Sequence, residues 1–377
     1  MAPPKEPPYT LVDWNGRSGT PAEVPQLMST LRKRFLVAAF GCLVAGATAL
    51  AAPPAAVVPG PKVPRPLESN DGVLVAAGKA PELDLLYTGD VIGFIEDCGC
   101  KMNPAGGLSR RAWLLNQIKT NYPATPLVIL DGGNYTDNPT EQGEARTAVL
   151  LEQMAKLGTK VVNVGDRELG FGFDEYAKTI AGVPMDFISS NIIKQGTTEP
   201  AFKPYAIVET KGTSGKPVRV GVLGLIRYSP VWLKSGPAGG SLVTAPLADA
   251  VARYLPEVRQ KADVVVLLAS VSKEDARELA KSFQDLDFVL GSYGGMYNAV
   301  EESEGRVRIV YTGNQGKRVG ESRITLDAKR RVGDVVTHMH FLTVRYPEDK
   351  AMAALVAGAK EKIAAGDQAA AAPAGGH

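Results

Sequence analysis

Histidine is nearly missing from this chain: 377 residues include only three, His338, His340 and His377. A serine or cysteine hydrolase needs an imidazole base or its equivalent beside the nucleophile, and residues 1–337 contain none. There is also no P-loop, no dinucleotide-binding glycine pattern, no Gly-x-Ser-x-Gly elbow and no internal repeat. An excess of one charge is lacking too. The 42 Lys and Arg residues nearly balance 40 Asp and Glu, leaving a net charge of +2, which indicates neither a nucleic-acid surface nor a disordered chain. The sequence is instead 45% hydrophobic and long enough to bury a large core.

The apolar residues fall into short runs that stop at polar clusters. Leu83 to Tyr87 precedes Thr88-Gly89-Asp90, Leu127 to Leu130 precedes Asp131-Gly132-Gly133-Asn134, and Val161 to Val164 precedes Gly165-Asp166-Arg167-Glu168. Val264 to Leu268 leads into Ala269-Ser270, and Phe288 to Leu290 into Gly291-Ser292-Tyr293-Gly294-Gly295. Continuous Val/Ile/Leu runs of this length read as strands buried on both faces. In such sheets ligands sit beyond the carboxyl ends of the strands, so a site is expected where these ends meet.

The order and wording of the ends resemble the metallophosphatase domain of the 5'-nucleotidase family, among the calcineurin-like phosphoesterases, whose strand ends read roughly D-x-H-G, G-D, G-N-H-E, S-H-x-G and G-H-S-H. Ser190-Asn191-Ile192, Phe202-Lys203-Pro204-Tyr205, Val218 to Leu225 and Tyr311-Thr312-Gly313-Asn314 are similar to phrases between those ends, so the likeness covers residues 83 to 327. It implies an α/β fold, a four-layer α/β/β/α sandwich in a single domain over residues 81–345. It also implies a metal site from Asp90, Asn134, Asp166, Glu168 and Asn191. In that alignment Asp90 keeps the first carboxylate, Ile92 stands at the first histidine and Asn134 at the bridging aspartate. Asp166 stands for the asparagine ligand, Arg167 for the leaving-group histidine, and Ser270, Ser292 and Gly294 for three metal-binding histidines. Two clamped cations need several anionic and imidazole ligands in fixed geometry, so a dinuclear centre is expected to be absent.

Other residues offer alternative chemistry. Asp90, Asp131, Asp166 and Glu168 can gather into an acidic pocket for one hard divalent cation, or be neutralised by Arg167 and Arg227. Tyr293 is expected to point into the former metal site. The loop Glu96-Asp97-Cys98-Gly99-Cys100-Lys101-Met102 is followed by Gly106-Gly107 and a helix start with Arg110 and Arg111. Cys98, Cys100 and Met102 admit three readings: a strained, labile disulfide, a soft-metal site for copper, or a structural pair. The two arginines beside a helix N-terminus suit an anion, or else salt bridges. His338 and His340 alternate about Met339 on one strand face and read as a solvated edge.

Both ends look like appendages. Residues 1–52 carry Arg32-Lys33-Arg34 and an apolar stretch from Phe35 to Ala52, the layout of an export signal or a single membrane anchor. Cys42 is a candidate lipidation site, and residues 53–80 form a Pro-rich spacer. The domain is therefore expected outside the cytoplasm. Residues 346–377 are expected to form one helix, from Glu348 to Ala365, stopped by Gly366 and followed by a disordered Ala/Gly tail. The resemblance leads one to look for a nucleoside-gripping second domain there, and none is expected. The first function expected is an exported, catalytically degenerate metallophosphatase-like protein that binds a protein partner or a small anion. The alternatives are a phosphoesterase with an oxygen-rich site and a copper or redox accessory protein.

Overall fold

The computed structural model describes residues 81–227 and 242–371, with the strand pairs 11–12, 18–19 and 68–69. The expected export segment, most of the spacer, Cys42 and His377 lie outside the described residues. The chain divides into two compact units, Met1–Val63 and Pro64–His377. In the first, β1 (Leu11–Val12) pairs antiparallel with β2 (Ser18–Gly19).

The second unit begins with β3 (Glu68–Ser69), β4 (Leu83–Thr88), α1 (Leu108–Asn121), β5 (Leu127–Asp131), α2 (Glu141–Leu157) and β6 (Thr159–Asn163). Next come α3 (Phe173–Ile180), β7 (Asp186–Ile188), β8 (Ile192–Lys194), β9 (Tyr205–Lys211), β10 (Pro217–Ile226) and β11 (Leu242–Thr244). It continues through α4 (Leu247–Lys261), β12 (Val264–Ser270), α5 (Lys273–Ser282), β13 (Phe288–Gly291), β14 (Glu302–Glu304) and β15 (Val307–Tyr311). It closes with β16 (Arg318–Leu326), β17 (Val332–Phe341) and α6 (Lys350–Ala371).

One sheet has the order β3-β17-β16-β4-β5-β6-β7, with β4 to β7 parallel and β16 antiparallel to both neighbours. The other has the order β14-β15-β13-β12-β10-β9, parallel in its centre and antiparallel at both edges. Residue alternation explains the layers. In β12, Val264, Val266 and Leu268 face the other sheet, packing with Leu85, Val128 and Val222. Val265, Leu267 and Ala269 turn the other way, into a cluster with Val251 and Val258 of α4 and Leu279 of α5. Both faces are covered, which is why the run is apolar throughout. The first sheet is covered on its outer face by α1, α2, α3 and α6, so the layers run α/β/β/α. Each fully buried Val or Leu contributes about 1.5–3 kcal/mol.

Local caps set the helices that frame the strand ends. Thr140 accepts the Gly143 N–H at 3.0 Å at the start of α2, and Gly158 ends that helix with φ of 100°. Ser272 accepts the Asp275 N–H at 3.1 Å at the start of α5. The last helix does not stop at Gly366 but runs on to Ala371. A glycine inside a helix costs only about 1 kcal/mol, and the alanines around it are the strongest helix formers. Among the described residues, no helix is long and apolar enough to cross a membrane.

Candidate functional site

The five strand ends do meet. Asn134, after β5, reaches across to the second sheet, donating from Nδ2 to Ser270 Oγ (2.9 Å) at the end of β12 and to the Ser292 carbonyl (3.2 Å) after β13. Its Oδ1 accepts the Arg167 N–H at 3.4 Å. Asp90, after β4, accepts the Gly295 N–H at 2.8 Å. Asp90 and Asn134 hold φ of 55° and 57°, a left-handed conformation that Asp and Asn tolerate better than most residues.

Ser292 closes the centre. Its hydroxyl donates to the Gly132 carbonyl at 2.5 Å. A Cβ added at Gly89 would lie 2.4 Å from Ser292 Cβ, and one at Gly132 only 2.7 Å away. Glycine is needed at both positions because the serine fills the space above them.

The acidic residues are largely occupied by the backbone. Glu168 is fully buried and accepts four N–H groups: Tyr135 (2.9 Å) and Thr136 (3.1 Å) on one oxygen, Asn134 (2.9 Å) and Gly165 (2.7 Å) on the other. Burial pushes its carboxyl up to about 7, against the pull of those N–H groups. Asp131 accepts from Thr88 Oγ1 (2.5 Å) and from the Gly133 N–H (3.0 Å). Burial raises it, and the neighbouring Arg111 guanidinium holds it down. Asp90 is raised by burial and by the charges of Asp166 and Asp131, while the Gly295 N–H and Arg167 oppose this. Asp166 sits half-buried at the same rim. Asn191 is tied to the backbone through its amide: Nδ2 donates to the Ile226 carbonyl (2.7 Å) and the Ala245 carbonyl (3.3 Å), and Oδ1 accepts the Ile226 N–H (3.0 Å).

The residues here do not fit a dinuclear metal centre. The amides of Asn134 and Asn191 and all the oxygens of Glu168 and Asp131 already have protein partners, and one Asp90 oxygen accepts the Gly295 N–H. Among the described residues, no group of three His, Cys, Asp or Glu is arranged to hold a metal ion.

Several surrounding residues depart from expectation. Arg167 acts on Asp90 through its charge alone, while its Nε donates to the Thr136 carbonyl (3.0 Å) and Nη2 to Asn138 (3.2 Å). Arg227 instead hydrogen-bonds the Tyr293 hydroxyl and stacks 4.8 Å from that ring. Arg110 takes the salt-bridge alternative, reaching Glu348 at 2.9 Å and Asp97 at 3.4 Å, while Arg111 is buried near Asp131.

The histidine pair is not a solvated face. His340 is 1% exposed and lies between Glu321 (2.7 Å) and the Tyr346 hydroxyl (3.1 Å). Glu321 also pairs with Arg323 at 2.8 Å. Alternation cannot reveal that α1 and the turn to Tyr346 cover this face, with Trp113 packed edge-on to Tyr346 at 6.1 Å. Burial raises Glu321, but the hydrogen bond and charge of His340 and the charge of Arg323 outweigh it, bringing the carboxyl down to about 2.

Cys98 and Cys100 are free thiols, the first partly buried and the second exposed. Burial raises the Cys98 thiol, but hydrogen bonds from Cys100 and from N–H groups, with Lys317 nearby, bring it below its usual value.

Sequence reasoning missed Asn163. At the end of β6, its Nδ2 donates to the carbonyls of Gly132 and Leu225, both at 3.0 Å, and so joins the two sheets. An asparagine inside the apolar run Val161 to Val164 was the available sign.

This arrangement of layers and strand ends is the metallophosphoesterase fold of the 5'-nucleotidases. The 5'-nucleotidase precursor from Thermus thermophilus superposes with a TM-score of 0.63 at 20% identity, over 75% of this chain and 59% of that one. Calcineurin-like phosphoesterase YfkN from Bacillus subtilis gives 0.63 at 18% identity, over 76% of this chain and 98% of that one. By sequence, the chain is 28% identical over 218 residues to a 2',3'-cyclic-nucleotide 2'-phosphodiesterase/3'-nucleotidase from Haemophilus influenzae. That match covers 53% of this chain and 33% of the relative's length. A protein of the same name from Salmonella typhimurium is 26% identical over 175 residues, which is 43% of this chain and 27% of that relative. No family-level sequence profile matches the chain.

Proposed function

We propose that this chain is an exported, catalytically degenerate relative of the nucleotidase and phosphodiesterase metallophosphatases, acting as a binding or assembly module. The observation that supports this most is the closed hydrogen-bond set around Asn134. A neutral amide there donates to Ser270 and to the Ser292 carbonyl and accepts from Arg167, at the point where the resemblance places a bridging carboxylate. A metal ion entering there would have to break that set and would gain a neutral ligand in exchange. The rim offers Arg227 and Tyr293 to a small anion or a protein partner.

The names of the sequence relatives favour the other reading, a phosphoesterase using Asp90, Asn134, Asp166, Glu168 and Asn191. Elemental analysis and hydrolysis assays on the full chain separate the two, with Mn²⁺ and Zn²⁺ supplied and a 2',3'-cyclic nucleotide as substrate. The expected outcome is no stoichiometric metal and no turnover above buffer. About two metal equivalents, with hydrolysis abolished in Asp90→Ala, would overturn the proposal.

A further inference from the structure

The loop from Asp97 to Gly106 has a fixed base and an exposed tip. At the base, Asp97 and Gly106 form an antiparallel bridge, the Cys98 N–H donates to the Ala105 carbonyl (2.9 Å), and the Gly106 N–H donates to the Leu342 carbonyl (2.8 Å). Arg110 fastens the same point from below, with Nη1 on the Gly106 carbonyl at 3.1 Å. Gly106 holds φ of 93°, and a Cβ there would meet the backbone of Gln315 and Gly316 at 3.0–3.1 Å. The Gln315 N–H in turn donates to the Asp90 carbonyl at 2.9 Å, so the loop flanks the rim of the crater.

The tip presents sulfur. Gly99 turns the chain at φ of 65°, with its N–H on Asp97 Oδ1 at 2.9 Å, and this folds Cys100 back so that its thiol lies 3.8 Å from the Cys98 carbonyl. Met102 follows at the next alternate position and is 97% exposed. Methionine usually fills gaps in a core; here it buries almost nothing, so packing does not account for it. Lys317 stands near both cysteine sulfurs and offsets negative charge that gathers there.

Two thiols and a thioether on a short exposed tip are a soft donor set. A structural Zn²⁺ site calls for four ligands, and hard cations call for oxygen, which Asp97 cannot give through Oδ1 because Gly99 occupies it. We infer that Cys98, Cys100 and Met102 form a Cu(I) site. Binding forms two copper–thiolate bonds and one copper–thioether contact and releases two thiol protons to solvent, and the copper keeps its oxidation state. Because the tip is exposed, the bound ion is open to exchange with a partner. This site does not depend on whether the crater is catalytic.

The test is a titration of the reduced full chain with Cu(I) under anaerobic conditions, with bicinchoninate as the competing chromophore. A Cys42→Ser background removes the third cysteine. The expected result is withdrawal of about one equivalent of Cu(I) from the dye. Cys98→Ser and Cys100→Ser should each weaken retention by about 100-fold or more and Met102→Leu by about 10-fold, with little change in the thermal midpoint because Cys100 and Met102 are exposed and serine keeps nearly the size of the partly buried Cys98. Failure to withdraw Cu(I), equal retention by Cys98→Ser, or Zn²⁺ competing one-for-one with Cu(I) would each overturn the assignment.

Discussion

Glu168 shows how a residue that looks like a ligand can be a structural hub. Both its oxygens are filled by N–H groups from the loops after β5 and β6. Glu168→Gln would turn an amide N–H₂ toward two of those donors and is expected to cost about 2–4 kcal/mol in urea unfolding. Since its folded value is raised, its contribution is fully present below the ordinary 4.5 and is lost as pH rises through about 7. Glu321 behaves oppositely. Its value is depressed to about 2, so its contribution is present above 4.5 and lost as pH falls from there toward 2. Stability should therefore drop across that acid window, with the raised Asp84 carboxyl beside Glu321 opposing part of the loss. Glu321→Gln should flatten this arm of the curve, and an unaltered slope in the variant would refute the assignment. Neither role was legible in the sequence. Asp90, Asp166 and Glu168 are chemically alike as letters, and only the path of the loops decides which carboxylate meets backbone donors.

Secondary-structure elements were far more legible than side-chain roles. The runs Leu83 to Tyr87, Leu127 to Leu130 and Val264 to Leu268 are strands because coverage on both faces requires apolar residues at every position, and that requirement is written locally. The end of α6 was misplaced because one glycine among alanines is a weak stop. The turn after β6 is set by close approach instead. A Cβ at Gly165 would lie 2.2 Å from Asn134 Oδ1 and 2.7 Å from both the Asn134 nitrogen and Glu168 Oε2. Gly165→Ala is therefore expected to destabilise the fold by about 2–4 kcal/mol, measured by denaturant midpoint, although alanine is the smallest change available.

At the scale of the molecule, the two sheets are joined by apolar packing along their length and by asparagines at the crater end. Asn163 ties β6 to Leu225, and Asn191 ties the chain after β7 to Ile226 and Ala245. Asn191→Leu leaves a buried Ile226 N–H without its acceptor and should cost about 1–3 kcal/mol. Faster amide hydrogen exchange at Ile226 would report the loss, and unchanged protection there would argue against this role. The layered architecture could be anticipated from the strand runs and the resemblance; these cross-sheet ties could not, because each joins residues distant in sequence. The packing of Ser292 over Gly89 and Gly132 limits which side chains position 292 can hold. Placing a histidine at 292, the residue type the resemblance puts there, would drive an imidazole into two glycine turns that have closed beneath a serine. Placing one at 270 would take away the acceptor of the Asn134 amide. Either replacement is therefore expected to lower stability, so Ser270 and Ser292 are held in place by the packing and hydrogen bonds they support.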